Sequence, residues 1–182
     1  MVDKKKRDFL QLATGVAGAV GVTAIAIAFT KQFQPNSLLE NNKTIDINVS
    51  EIHPGMSLTT RWAGKPIFIR NRLPEEVIEA KKVDISILKD KFARNANLPV
   101  TSLAIDINRS AGEGKENWLV LIAICTHLGC LPIGETGEYG GWLCPCHNSQ
   151  FDSVGRVRAG PASENLHIPP YKFIGDDIIR IG

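Results

Sequence analysis

The sequence predicts an all-β protein, an antiparallel β-sandwich with one short helix, preceded by a single transmembrane helix. Residues 9–30 contain no charged side chain, which indicates a helix that can cross a membrane. Apolar and polar residues alternate over residues 45–49, as in a strand with one buried face. Residues 118–124 are apolar throughout, which is typical of a strand buried on both faces. With 43% hydrophobic and 22% charged residues, the chain can build a packed core.

The N-terminal segment fits an uncleaved membrane anchor. As a helix, residues 9–30 would span about 33 Å at ~1.5 Å per residue, enough to cross a hydrocarbon core of ~30 Å. Basic residues occupy positions 4–7, and only Lys31 follows the run closely. The positive-inside rule therefore predicts that residues 1–8 stay in the cytoplasm and that the rest of the chain is exported. A cleaved signal peptide is the alternative, but its apolar region typically covers only ~7–15 residues.

Residues 6–10, Lys-Arg-Asp-Phe-Leu, resemble a twin-arginine export signal in which Lys replaces the first Arg. That route exports folded proteins, which would suit a protein that receives a cofactor before export. A plain stop-transfer anchor explains the same residues less specifically.

A flexible hinge is predicted at residues 31–44, between the anchor and a head domain at residues 45–182. The polar part of the hinge, residues 34–44, contains Pro35 and three Asn and has no apolar period. Such a composition is typical of a linker.

The head domain is predicted to contain short strands, one short helix and an irregular insertion. Proline suits the first position of a helix and acidic residues suit its positive end, so the helix begins at Pro74, Glu75 and Glu76. Residues 83–117 give mixed signals and are interpreted as the insertion. The predicted strands are 45–49, 58–62, 66–70, 118–124 and 177–181, with a turn at 54–55 and a hairpin turn at 63–65.

The charge distribution excludes one class of function. The net charge of the chain is +2, but the first 31 residues carry a net charge of +3 and the remaining residues a net charge of −1. A nearly neutral head domain cannot neutralise many phosphates, so the sequence argues against nucleic-acid binding.

All four cysteines fall into two short boxes that also contain histidine. The first box, Cys125-Thr126-His127-Leu128-Gly129-Cys130, directly follows the apolar strand. The second is Cys144-Pro145-Cys146-His147-Asn148-Ser149. Each box can supply one thiolate and one imidazole, a combination that suggests a metal site.

Three kinds of site remain possible on spacing alone. A structural zinc site would use the same donors, but its cysteines are usually spaced Cys-x(2–4)-Cys and its histidines His-x(3–5)-His. Two disulfides would leave both histidines unexplained. A Rieske 2Fe–2S cluster, in which two Cys hold one iron and two His hold the other, is favoured.

The two boxes resemble those of the Rieske iron–sulfur subunit of ubiquinol–cytochrome c reductase (respiratory complex III), in its α-proteobacterial or mitochondrial form. The resemblance extends over nearly the whole chain. It includes the N-terminal anchor, the polar hinge, the segments 64–69 and 73–76, and the C-terminal strand.

The resemblance implies a role for each residue of the boxes, within a cluster-binding subdomain at about 120–163. Cys125 and Cys144 would ligate the inner iron of a single 2Fe–2S cluster, and His127 and His147 the outer iron. The other residues to which it assigns roles are a disulfide pair, Cys130 and Cys146, and a hydroxyl donor to a bridging sulfide, Ser149.

The chain departs from the family pattern at three positions. Residues 160–163, Gly-Pro-Ala-Ser, resemble the proline loop that covers the cluster, but Ser163 replaces its usual last proline. Asn148 replaces a usual Gly and Phe151 a usual Tyr. Neither Asn148 nor Phe151 is a ligand, so these two departures concern the tuning of the cluster and leave its binding intact.

The function that the resemblance implies is that of an electron-transfer subunit of an enzyme, quinol–cytochrome-c reductase (EC 7.1.1.8). The cluster would take one electron from ubiquinol at cytochrome b and pass it to a c-type cytochrome by movement of the head. The catalytic contact with quinol falls to His147. The implied location is the inner (plasma) membrane, single-pass, with the head on the periplasmic side, or on the intermembrane-space side if mitochondrial.

Other functions would use the same ligand pattern. The Rieske small subunit of arsenite oxidase, or another membrane-anchored Rieske carrier, is the nearest alternative, and Phe is familiar there at the position of Phe151. Soluble Rieske ferredoxins and oxygenase domains usually lack both the anchor and the second cysteine pair. A structural zinc protein is the non-redox alternative.

Overall fold

The computed structural model describes residues 3–33 and 44–182. The chain divides into two compact units, an N-terminal one at Met1–Asn41 and a larger one at Asn42–Gly182. The predicted hinge, residues 31–44, lies mostly outside the described residues. Lys31 still belongs to the helix of the first unit, and Thr44 directly precedes the first strand of the second.

The N-terminal unit contains one long helix, α1 (Lys4–Lys31). Asp3 caps it, because its carboxylate accepts a hydrogen bond from the backbone N–H of Lys5 at 3.0 Å. The helix therefore begins five residues before the apolar run and includes the basic residues that precede it. Its most apolar 18-residue window has a mean hydropathy of 2.0. This helix is long and apolar enough to cross a membrane.

The head domain contains ten strands within residues 44–182, arranged in three antiparallel sheets. The elements in chain order are β1 (Ile45–Asn48), β2 (Ser57–Trp62), β3 (Lys65–Asn71), α2 (Pro74–Lys82), a 3₁₀ turn (Ile85–Ile87), α3 (Asp106–Arg109), β4 (Trp118–Ile122), β5 (Ile133–Thr136), β6 (Gly140–Cys144), β7 (Ser149–Asp152), β8 (Val157–Ala159), β9 (Tyr171–Ile174) and β10 (Ile178–Ile181). The strand orders of the three sheets are β1-β10-β9, β2-β3-β4 and β5-β6-β7-β8.

Strands β3 and β4 lie at the centre of the head and are buried on both faces. On one face, Ile67, Ile69 and Val120 pack against buried residues of β10. On the other face, Phe68 and Leu121 belong to the core that also contains the cysteine boxes. Burial on two faces explains why residues 118–122 read as an uninterrupted apolar run.

The second cysteine box connects two strands of the third sheet, and this sheet packs on the central strands. The indole of Trp142 in β6 stacks on the ring of Phe68 in β3, with centroids 5.8 Å apart and planes 17° from parallel. This contact fixes the second box relative to β3, which pairs with β4, the strand that leads into the first box.

The β2–β3 hairpin and the short helix lie where the sequence predicts them. The hairpin turns through Ala63 and Gly64, both with positive φ (48° and 76°), which suits a two-residue turn between twisted strands. At the start of α2, Glu76 accepts a hydrogen bond from the backbone N–H of Leu73 at 2.8 Å. The acidic residues thus satisfy the positive end of the helix, as expected.

The sequence prediction differs from the structure at the end of β4 and in the third sheet. The predicted strand 118–124 pairs with β3 only as far as Ile122; there the N–H of Ile124 turns back to the Ile122 carbonyl at 2.8 Å. The sequence analysis does not predict strands β5 to β9, because they are only three to five residues long and show no clear apolar alternation.

Candidate metal centre

Each box forms a tight turn at the end of a strand. The first follows β4, and the backbone N–H of Cys125 donates to the carbonyl of Cys130 at 2.8 Å, which closes the loop. The second connects β6 to β7, and the N–H of Asn148 donates to the Cys144 carbonyl at 3.0 Å. Asn148 has a φ of +58°. Asn tolerates this left-handed conformation better than other side chains do, which explains how it can stand where the family pattern has Gly.

A disulfide joins the two turns. Cys130 of the first box and Cys146 of the second are bonded, with their Cα atoms 6.7 Å apart. The other two cysteines, Cys125 and Cys144, are free thiols, and each is only 2% exposed. The four cysteines therefore form two pairs in the structure: Cys130 and Cys146 are cross-linked, and Cys125 and Cys144 are buried free thiols.

The two histidines of the boxes lie together on the outer side of the turns. The imidazoles of His127 and His147 have ring centroids 4.8 Å apart and are nearly perpendicular, at 87°. His127 is half-buried and His147 is exposed. Two buried thiols and two adjacent outward imidazoles thus come from two loops, one of each kind per loop.

The environment of Cys125 opposes a free thiolate. Burial raises the pKa of the Cys125 thiol, and the neighbouring Cys144 sulfur raises it further, although hydrogen bonds from the His127 backbone and the Ser149 hydroxyl act in the other direction. A thiolate in such a place needs a cation to balance its charge. Thiolates and neutral imidazoles are the donors that a Rieske cluster uses, so the residues present fit that group.

A second cysteine grouping shows why proximity alone does not identify the ligands. The sulfur atoms of Cys130, Cys144 and Cys146 all lie within 4.8 Å of one another. Two of these sulfurs are already bonded in the disulfide, so they cannot also act as thiolate ligands. Only Cys144 of this group remains able to bind a metal.

Residues 160–163, the cover segment, pack against the second box. Gly160 has a φ of +84°, and a Cβ there would come within 2.5 Å of the Asn148 carbonyl oxygen and the Ser149 Cα. The buried Ala162 donates its backbone N–H to the Ser149 hydroxyl oxygen at 3.0 Å. Ser163, which stands in place of a usual proline, is exposed.

Phe151 is 1% exposed and belongs to the same core as both free thiols.

The two histidines outside the boxes are not part of this site. His53 is exposed, and the His167 Nε2 atom lies 2.9 Å from a carboxylate oxygen of Glu164.

Two contacts of this region have no signal in the sequence. The Thr126 hydroxyl donates to the Glu164 carbonyl at 2.6 Å, which ties the first box to the chain just after the cover segment. The Lys89 ammonium donates to carbonyls within the cover segment. Lys89 belongs to the insertion at 83–117, where no periodicity marks a functional residue.

Comparison with known proteins places the chain in a family. Residues 43–171 match the family described as "Rieske [2Fe-2S] domain", and residues 1–36 match "Ubiquitinol-cytochrome C reductase Fe-S subunit TAT signal". The latter match agrees with the twin-arginine-like residues 6–10, in spite of the Lys at the first position.

Similar proteins match along nearly their whole length. The chain is 46% identical to the ubiquinol–cytochrome c reductase iron–sulfur subunit of Cereibacter sphaeroides, over 97% of this chain and 95% of that protein. The subunits of the same name from Blastochloris viridis, at 43% identity over 97% and 92%, and from Rickettsia conorii, at 42% over 97% and 93%, are also similar. None of these three relatives is an arsenite oxidase subunit.

Proposed function

The chain belongs to the family of Rieske iron–sulfur subunits of ubiquinol–cytochrome c reductase, and from that membership we propose how its own residues hold the 2Fe–2S cluster and pass on its electrons. Cys125 and Cys144 ligate the inner iron, and His127 and His147 ligate the outer iron. The observation that carries this assignment is that two loops, joined by a disulfide, each supply one buried free thiol and one imidazole, and that the two imidazoles are adjacent.

The bound cluster supplies a one-electron acceptor with a potential of roughly −150 to +300 mV, well above the about −400 mV of all-Cys plant-type ferredoxins. The protein contributes the surroundings. Burial of Cys125 and Cys144 keeps water from the sulfur ligands. The Cys130–Cys146 disulfide holds the two loops at a fixed separation, and the Ser149 hydroxyl supplies a hydrogen-bond donor inside the core.

His147 is the residue proposed to contact ubiquinol. Its imidazole is exposed, so a ring nitrogen that does not bind iron can accept a hydrogen bond from a quinol hydroxyl. Leu128 and Leu131 of the first loop are 72% and 53% exposed. An exposed apolar rim next to a polar tip suits docking on a partner at a quinol site. Cytochrome b is the proposed docking partner, and a c-type cytochrome is the proposed electron acceptor.

The head domain is proposed to lie on the periplasmic side of the inner membrane. The basic residues before α1 favour a cytoplasmic N-terminus, which places residues after the helix on the other side. The disulfide supports the same orientation, because such bonds persist in oxidising compartments and are rare in the cytosol.

Ligand substitution in the full-length, membrane-extracted protein tests the assignment. Cys125→Ser, Cys144→Ser, His127→Asn and His147→Asn should each abolish the EPR signal of the reduced cluster and remove iron from the purified protein. His53→Asn and His167→Asn are the matched controls, since both histidines lie outside the boxes, and both variants should keep two irons per chain, the number in a 2Fe–2S cluster.

Retention of the native signal by any of the four ligand variants would remove that residue from the ligand set. A colourless, EPR-silent wild-type protein that contains one zinc per chain would overturn the cluster itself. If the four ligand variants lose the cluster as expected, and the wild type and both controls reduce cytochrome c with quinol when assembled with cytochrome b while the four ligand variants do not, the proposed function stands.

A further inference from the structure

The cover segment is held on its outer side by a single ammonium group. Lys89 Nζ donates to the Gly160 carbonyl oxygen at 2.6 Å and to the Ala162 carbonyl oxygen at 2.9 Å. The two acceptors flank Pro161, which has no N–H of its own to anchor the chain. A cation shared between carbonyls two residues apart fixes the curvature of the segment between them.

The backbone that carries Lys89 is itself fixed. Leu88 is 4% exposed. The Asp90 carboxylate accepts the backbone N–H of Asn165 at 3.0 Å, and the Asn165 side chain donates to the Asp90 carbonyl at 3.0 Å. The ammonium therefore projects from a site tied to the end of the cover segment.

The inner side of the same segment controls Ser149. The Ala162 N–H occupies a lone pair of the Ser149 hydroxyl oxygen. With its oxygen held by this donor, the hydroxyl proton is directed away from Ala162. Ser149 is fully buried, so water does not compete for that proton.

We propose that Lys89 is a positioning residue that fixes the cover segment over the second box and thereby aims the Ser149 hydroxyl at the cluster. The line of contact runs from the Lys89 ammonium through the carbonyl of Ala162 to its N–H, and from there to Ser149. The inference rests on the ligation proposed above, and it assigns a role in tuning the cluster to a residue of the insertion, outside both boxes.

Three variants of the full-length protein separate this role from simple loss of a charge. Lys89→Met removes the donors and keeps the length of the side chain. Lys89→Arg keeps the charge and can still bridge two carbonyls. Lys91→Met is the matched control, because Lys91 is an exposed lysine two positions away whose charge acts on Asp84.

The first readout is hydrogen exchange in the peptide that contains the cover segment, measured by mass spectrometry with and without iron. Lys89→Met should speed exchange there by about tenfold, the size expected for loss of a hydrogen bond to a charged donor. Lys89→Arg and Lys91→Met should exchange at nearly the wild-type rate.

The second readout is the midpoint potential of the cluster. The reduced cluster carries one more negative charge, so a well-aimed donor stabilises it more than the oxidised form. Lys89→Met should therefore lower the potential, and Lys89→Arg should restore it. In a Ser149→Ala background, Lys89→Met should cause no further decrease, because the group through which Lys89 acts is gone.

Two results would overturn the proposal. An equal decrease for Lys89→Met and Lys91→Met would show that only the charge matters. A full additional decrease in the Ser149→Ala background would show that Lys89 does not act through Ser149. Failure of the proposed ligation would be visible separately, as loss of the cluster signal in the wild type.

Discussion

Phe151 is the residue whose substitution the structure makes most informative. The family pattern has Tyr at this position, where the hydroxyl would donate to the sulfur ligand that corresponds to Cys125. Phe151 is buried in the same core as Cys125. Phe keeps the ring and its packing but offers no donor.

Phe151→Tyr should raise the midpoint potential of the cluster. A differential hydrogen-bond strength of ~1 kcal/mol corresponds to a shift of about 40 mV for one electron. Redox titration followed by EPR measures the shift, and Phe173→Tyr, which makes the same change at a half-buried position beside Trp118, is the control. An unchanged or lower potential with full cluster occupancy would mean that position 151 does not tune the site.

At the residue scale, a candidate metal site could be predicted from its residue types, whereas contacts between segments far apart in the chain could not be predicted. The ligand boxes are visible because Cys and His recur at short spacing within each loop. The contacts of Lys89 could not be predicted from the sequence, because its two acceptors lie 71 and 73 positions further along the chain. Nothing in its local sequence distinguishes it from other surface lysines.

The insertion at 83–117 is the element that the sequence describes least well. Within it the structure contains one 3₁₀ turn, the four-residue α3 and two isolated bridges, Phe92 to Leu103 and Asn95 to Ile168. The prediction that it is irregular is confirmed. The contacts that hold the insertion together have no periodicity in the sequence, since many of them are single side chains that donate to backbone carbonyls.

Buried arginines supply many of these ties. Arg156 pairs with Asp152 at 2.7 Å and donates to the carbonyls of Ala104 and Ala80. Arg109 donates to the carbonyls of Ala93 and Val154. Burial lowers the pKa of Arg109 to about 9. Because Arg is usually a surface residue, sequence patterns place these side chains outside the core in which they lie.

The insertion also carries a carboxylate that makes it sensitive to acid. Burial alone would raise the pKa of Asp90. Hydrogen bonds from Arg94 and from the backbone N–H groups of Asn165 and Phe92 outweigh burial and hold the pKa below its ordinary value of 3.8. A group whose pKa is lower in the folded state stabilises the fold above its unfolded pKa of ~3.9, and that contribution disappears as the pH falls through the folded pKa.

Asp90→Asn should therefore lower the melting temperature most at pH 6–7, with the difference from wild type shrinking below about pH 4. Thermal unfolding over this pH range measures it. Asp84→Asn is the control. Among the residues that the structure describes, the Asp84 carboxylate accepts hydrogen bonds only from Ser86 of its own turn, and Asp84 is exposed, so its effect should be smaller. A pH-independent difference for Asp90→Asn would show that the carboxylate's charge is unimportant.

At the scale of the whole molecule, a long apolar helix followed by an antiparallel β head could be predicted from the sequence. A long uncharged run and an uninterrupted apolar strand are strong sequence signals. The first has the composition that a lipid environment requires, and the second has the composition that burial in a protein core requires. The pairing of β1 with β10, at opposite ends of the head, could not be predicted, since register between distant strands leaves no local pattern.

The segment 34–44 between the two units is proposed to let the head move between its partners. Replacing three of its residues by proline should slow quinol-dependent reduction of cytochrome c, because proline-rich linkers are extended and stiff, while the EPR spectrum of the cluster should not change. Asn→Ser substitutions at the same number of positions in this segment are the control. Normal turnover with the proline-stiffened segment would contradict movement of the head.

The arrangement of the cysteines also restricts the order in which the protein can mature. Cys130 and Cys146 must be oxidised to bond, whereas Cys125 and Cys144 must stay reduced for the ligand role proposed for them. Because the Cys144 sulfur lies within 4.8 Å of both disulfide sulfurs, an oxidant that arrived before the cluster would find thiols able to pair in more than one way. Mispairing is avoided if iron occupies Cys144 before the oxidant arrives.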